Sequence, residues 1–235
     1  MRAAAFAGCL AAAAAVLGPW FDELADTSFA WHMVQHLVLM MVCAPLFVLA
    51  VPLRTVLAIA PTRAARALAR LLRSQPVRVL STPLAGWAAV TLVLYVAHFS
   101  GLYEAALEND GVHAFEHGLF FATAVLFWQS VIAPAPFAHP PSYPARLLAI
   151  FFALPSSAFL GLAFYVSTRP LYPHYVAAAG AFAALDDQRN GGAVMWLGGG
   201  VTLFAALLLT VARWGAAERR YGDVYDRYTA GQGET

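Results

Sequence analysis

The sequence predicts an all-α membrane protein, a polytopic helix bundle of about six transmembrane helices with both termini cytoplasmic. Hydrophobic residues make up 61% of the 235 and charged residues only 11%, with a mean hydropathy of +0.66. That composition leaves too little polar surface for a water-soluble domain. The apolar residues also fall into blocks close to the roughly 20 residues that cross a bilayer. Finally, all 14 basic residues are arginine, and they lie almost entirely in alternate connections between those blocks.

The spans are expected over about 3–18, 31–51, 83–99, 112–132, 145–166 and 193–214, forming a single transmembrane domain over 1–214, with 215–235 as a short polar cytoplasmic tail. The first block is short and Ala-rich and follows Met1 and Arg2. It reads either as a retained span or as the leading part of a secretory signal. Pro45 in the second span and Pro155 in the fifth should kink them or free carbonyls, which a membrane tolerates where neighbours restore the hydrogen bonds. Between spans two and three, the segment 54–78 spaces Leu57, Leu68, Leu71 and Leu72 among arginines. It fits an amphipathic helix lying on the headgroups, started afresh after Pro61, or a plain basic loop. Residues 185–196 lead from an outer loop into span six, with Gly191 and Gly192 placed for a tight turn. A merely structural helix entry reads equally well there.

Orientation follows from the arginines, because basic residues in short loops stay cytoplasmic. Arg2, Arg54, Arg63, Arg66, Arg70, Arg73, Arg78, Arg146, Arg213, Arg219, Arg220 and Arg227 fall on one side of six spans, and only Arg169 and Arg189 on the other. The second side carries the acidic residues Asp22, Glu23, Asp26, Glu104, Glu108, Asp110, Asp186 and Asp187. All six tryptophans lie near span ends, as an aromatic belt at the lipid bilayer surface requires. A net charge of +1 gives no footprint for nucleic acid. Two isolated cysteines, Cys9 and Cys43, make neither a disulfide framework nor a CxxC metal site. Glycine-rich phosphate loops and serine-nucleophile motifs are absent from the sequence.

The histidines carry the chemistry. His32 and His36 open span two, His98 closes span three, and His113 and His117 open span four, all on the non-cytoplasmic side. A spacing of i, i+4 puts two side chains on one helix face a turn apart, so each pair offers a two-imidazole clamp. Imidazole ligates copper, zinc and iron, and the nearby thioether of Met33 favours cuprous copper. Glu116 fits a ligand or an orienting partner, and Asp187 and Gln188 fit hydrogen bonds to the histidine-bearing helix ends. Ionisable residues at membrane depth are costly and usually face a bundle interior, which makes a shared site the default reading. Taken singly, each histidine reads equally as an interfacial residue bonded to a carbonyl or headgroup. His174 lies on the same side without a spacing partner, and His139, among prolines in a cytoplasmic loop, reads as structural.

Other chemistries stay open. Histidines from facing helices are also haem axial ligands, the mark of a membrane electron-transfer protein. His113, Glu116 and His117 match the H-x-x-E-H pattern of zinc peptidases, although no soluble domain for a polypeptide substrate accompanies it. A small-solute transporter is disfavoured by the near absence of charges deep in the spans.

Several motifs in one order resemble a known family. His32-Met33 with His36-Leu37, the run Tyr103 to Asn109, Val112-His113 with Glu116-His117, Phe127-Trp128, and Asp187-Gln188 with Gly191-Gly192 and Met195-Trp196 are similar to the CtaG family of cytochrome c oxidase assembly proteins associated with caa-type oxidases. The resemblance runs from about His32 to Trp214. It differs in that family members often carry one further amino-terminal span, and in Arg189, which stands where a second glutamine is usual. The resemblance implies a multi-pass bacterial inner-membrane factor that is not an enzyme. Its partners are then cytochrome c oxidase subunits and a periplasmic copper chaperone, and its cargo copper on the periplasmic face. His32, His36, His113 and His117 are the expected metal ligands, with His98 and Glu116 close by. A site built for transfer should be incompletely coordinated and open to the periplasm.

Overall fold

The computed structural model describes residues 1–50, 52–133 and 140–232. It is 88% helix, with no strand among the described residues. The helices are α1 (Arg2–Val16), α2 (Pro19–Thr27), α3 (Phe29–Val38), a π-helical turn (Leu39–Cys43), α4 (Ala44–Ala50), α5 (Pro52–Ile59), α6 (Thr62–Leu72) and α7 (Gln75–Leu80). Then follow α8 (Pro83–Phe99), α9 (Leu102–Glu108), α10 (Asp110–Ile132), α11 (Tyr143–Tyr165), α12 (Pro173–Ala179) and α13 (Ala181–Gln232). Four stretches are long and apolar enough to cross a membrane: Phe29–Ile59, Asp110–Ile132, Tyr143–Tyr165 and Ala181–Gly222. Six are reached when α1 with α2, bent by 52°, and α8 with α9, bent by 67°, each count as one broken span. The first bend follows from Pro19, whose fixed φ and missing N–H suit the first position of a new helix. His139 lies outside the described residues.

Pro45 acts as its chemistry requires, through the π-helical turn before it. In that turn the Ala44 N–H donates to the Leu39 carbonyl, five residues back. The same pattern would pair the Met40 carbonyl with residue 45, and proline has no N–H to give. The indole Nε1 of Trp128 on α10 donates to Met40 O instead, at 2.8 Å. A backbone group orphaned at membrane depth is thereby satisfied from the neighbouring helix.

Residues 185–192 correct the expectation of an outer loop with a tight turn: they are helical, inside the continuous α13. The turn into α13 is made earlier, by Gly180 at φ +82°, and the two glycines serve packing instead of turning. A Cβ on Gly192 would lie 2.5 Å from Gly161 O, and one on Gly161 would lie 2.5 Å from Gly192 O, so α11 and α13 touch backbone to backbone. Gly191 leaves room for the Phe29 ring. Lipid is as apolar as the side chains, so such close contacts and interhelical hydrogen bonds hold the helices together. The stretch 215–232, expected to be a short polar tail, continues the same helix.

The segment 54–78 is broken into pieces of α5, α6 and α7, cut at Pro61 and at Ser74, rather than forming one amphipathic helix. Within α6, Arg63, Arg66 and Arg70 are exposed and Leu68 and Leu72 are partly buried beside Ala65 and Ala69, but Leu71, expected on the apolar face, is 59% exposed. One core packs Met40 and Val48 against Phe120, Phe127, Trp128 and Ile150. A second packs Phe29 and Met33 against Tyr103, Leu160, Phe164 and Tyr175. The histidines lie toward the start of α3, the end of α8 and the start of α10.

Candidate metal centre

Two helix starts place the clamps. Ser28 caps α3, its Oγ accepting from Trp31 N at 3.3 Å while donating to Asp187 Oδ1 of α13 at 2.8 Å. Asp187 Oδ2 also accepts from Ala30 N at 3.4 Å, so one carboxylate fixes the α3 terminus that carries His32 and His36. Asn109 caps α10, its Oδ1 accepting from Gly111 N at 2.9 Å and Val112 N at 3.1 Å. Without such caps the first-turn amides of both helices would go unpaired.

The two clamps face each other. Ring centroids are 4.5 Å apart for His32 and His36, and 4.1 Å for His113 and His117. Across the helices His32 lies 5.0 Å from His113, and His36 lies 5.1 Å from His117. One nitrogen from each of the four histidines falls within 4.8 Å of all the others. His32 and His36 are buried, whereas His113 and His117 are half-buried on α10, which makes that helix the accessible side.

The donor set fits a metal ion. Among the described residues, the Nε2 atoms of His113 and His117 are buried without a hydrogen-bond partner, and so are both carboxylate oxygens of Glu116. Buried polar atoms are ordinarily paired. Four neutral imidazoles with a wholly buried carboxylate beside them supply the nitrogen-rich shell that copper or zinc takes. Glu116 Oε2 is 3.7 Å from His36 Nε2, close enough to orient that ring or balance a cation.

His98 stands apart from this group. Its ring centroid is 6.4 Å from that of His36, and its Nδ1 bonds Leu94 O at 2.8 Å. Met33 is buried in the core beside His36 and His98. Gln188 bonds the loop before α12 instead of a histidine-bearing helix, accepting from Leu171 N at 2.7 Å and donating to Arg169 O at 3.4 Å. Arg189 reaches the same loop through Ser167 O. His174 also lies off the cluster, with its ring on Asp26 O at 3.0 Å and its N–H donating to Glu104 Oε1 at 2.9 Å.

Tyrosines that the spacing did not single out pack against the site. Tyr175 O–H lies 3.1 Å from Ala25 O, 3.0 Å from Tyr103 Oη and 3.4 Å from His32 Nδ1. Tyr172 donates to His98 O at 3.1 Å. Burial holds the Tyr172 and Tyr175 phenols far above their ordinary pKa, so both remain protonated. Gln35 was likewise missed: its Nε2 donates to Val16 O at 2.7 Å and Asp22 Oδ1 at 2.6 Å, tying α3 to α1 and α2. Tyr175 is 143 positions from His32, beyond any periodicity argument. Gln35 carried a signal, being a polar side chain inside an apolar block next to His36.

A family model described as cytochrome c oxidase caa3 assembly factor matches residues 1–217. Among curated proteins, uncharacterized proteins of Mycobacterium bovis and Mycobacterium tuberculosis are each 24% identical over 210 residues, covering 85% of this chain and 32% of their own length. One of Mycobacterium leprae is 24% identical over 218 residues with the same coverage. The chain thus spans about a third of the length of the curated relatives it matches. No solved structure matches it.

Proposed function

Because the chain belongs to the family of cytochrome c oxidase caa3 assembly factors, we propose that it holds copper at the outer face of the bacterial inner membrane and supplies it to an oxidase under assembly. The observation that carries this reading is the convergence of His32, His36, His113 and His117 from two helices on one point. Glu116 serves as the adjacent carboxylate, and Asp187 positions the α3 end. The arginine distribution supports cytoplasmic termini, with the cluster at the periplasmic face. The acidic outer residues favour entry of a cation there. Half-buried His113 and His117 give the ion a route for ligand exchange, as transfer requires. The partners are oxidase subunits, with a periplasmic copper chaperone as donor, and the protein catalyses no reaction.

The rival chemistries fit the geometry less well. Bis-histidine haem ligation needs two imidazoles on opposite faces of a macrocycle, with an open slab between them. Four rings 4.1 to 6.2 Å apart, crowded on one point, leave no such slab. A peptidase needs its general base to reach a metal-bound water that is open to a polypeptide, whereas Glu116 is 0% exposed.

The test is complementation of a host lacking the gene. Wild type should restore oxidase activity and the copper content of the purified oxidase, and His32→Ala/His36→Ala should restore neither while the protein still reaches the membrane. Full restoration by that variant would overturn the proposal.

A further inference from the structure

Beside the four-histidine cluster, α3, the π-helical turn, α8, α11 and α13 line a small cavity of about 40 Å³. Liquid water takes about 30 Å³ per molecule, so the cavity holds a single small species. Met33, Met40, Met41 and Met195 all line it, together with His36 and His98. These are four of the five methionines in the chain, the fifth being Met1. Methionine is a common filler of irregular cores, but filler would be scattered through the bundle. Here three of the four follow one face of the second span at i, i+7 and i+8, and the fourth meets them from α13.

His98 supplies the second, independent observation. Its Nδ1 bonds the Leu94 carbonyl, which can only accept, so Nδ1 carries the hydrogen and Nε2 presents its lone pair. That Nε2 is buried without a hydrogen-bond partner among the described residues, and the side chain is only 3% exposed. A buried nitrogen acceptor beside thioethers is a donor set for a soft monovalent ion. Thioethers select cuprous copper and bind harder divalent ions poorly.

We propose that this methionine-lined cavity is a second metal site, specific for cuprous copper, with His98 Nε2 and the thioethers of Met40 and Met195 among its ligands. Met40 and Met41 follow His36 by four and five residues, about 6–7.5 Å further along the helix, while Met33 and His36 line the cavity at the level of the histidine cluster. His36 borders both sites, and an ion leaving the outer cluster would pass that ring first. The inference takes the identity of the metal from the copper reading above, and the site itself from its own residues.

The experiment loads detergent-purified protein anaerobically with cuprous ion, measures copper per chain and records the sulfur scattering at the copper absorption edge. Wild type should bind two equivalents and show sulfur neighbours. Met40→Leu/Met195→Leu, which nearly conserves volume, should keep one equivalent without the sulfur shell and still bind zinc at the histidine cluster, which also reports that it is folded. His113→Ala/His117→Ala should keep one equivalent with the sulfur shell. Loaded wild type without sulfur neighbours, or an unchanged copper content in the methionine variant, would overturn the proposal. If the four-histidine reading fails instead, the methionine variant binds no copper while the sulfur-ligated ion persists in the histidine variant.

Discussion

His32 Nε2 and His36 Nε2 stand 3.1 Å apart across one turn of α3. Two nitrogen ligands at about 2.0 Å on one tetrahedral ion are separated by about 3.3 Å, so this pair is nearly set for a shared ion before it arrives. A ligand that binds only the folded state stabilises it by about 2.7 kcal/mol at a hundredfold excess over Kd. Cuprous ion added under reducing conditions should therefore raise the apparent melting temperature of wild type in detergent. His32→Ala/His36→Ala should show less of that rise, keeping only what other sites contribute. The same shift in both proteins would place the ion away from this pair.

Glu116 gives a prediction of opposite sign for folding and binding. Its carboxylate is wholly buried with no donor to either oxygen among the described residues. Burying an unpaired carboxylate is costly, so Glu116→Gln should leave the metal-free protein as stable as wild type or more so. The same change should weaken copper binding by about 10- to 100-fold, the usual scale for a partner of the ligands. Competition against a cuprous chelator measures the affinity, and an unchanged value would remove Glu116 from the site.

Trp128 is expected to matter through one carbonyl. Trp128→Phe strands Met40 O, and leaving a buried acceptor unpaired costs about 1–3 kcal/mol. Pro45→Ala returns an N–H at the position the carbonyl would otherwise use. The double variant Pro45→Ala/Trp128→Phe should thus lose less stability than the sum of the single changes. Additive losses in denaturation experiments would contradict the coupling.

Much of this arrangement was legible in the sequence because membrane helices are written in long apolar blocks and metal clamps in short spacings. The block boundaries lie within a few residues of α1, α8, α10 and α11, and the i, i+4 pairs place both clamps on single helix faces. The bends between α1 and α2 and between α8 and α9 were harder to see, since α2 and α9 are short helices whose packing is set by partners far along the chain. Gly191 and Gly192 misled for a physical reason: the freedom that lets glycine turn also lets two helices touch, and only the position of Gly161 distinguishes the two. Tyr103, Tyr172 and Tyr175 meet near His32 and His98 through tertiary contacts that no local period records. Gln188 and Arg189 likewise find their partners in a loop some 20 residues away.

The most direct measurement is copper content by elemental analysis of protein purified from copper-replete, reducing growth, comparing wild type with His32→Ala/His36→Ala and His113→Ala/His117→Ala. A shared four-histidine ion requires that each double variant lose at least one equivalent relative to wild type, with no haem absorption band in any of the three. Equal copper in all three proteins, or none in wild type, would contradict it and leave the histidines as packing residues of an assembly scaffold.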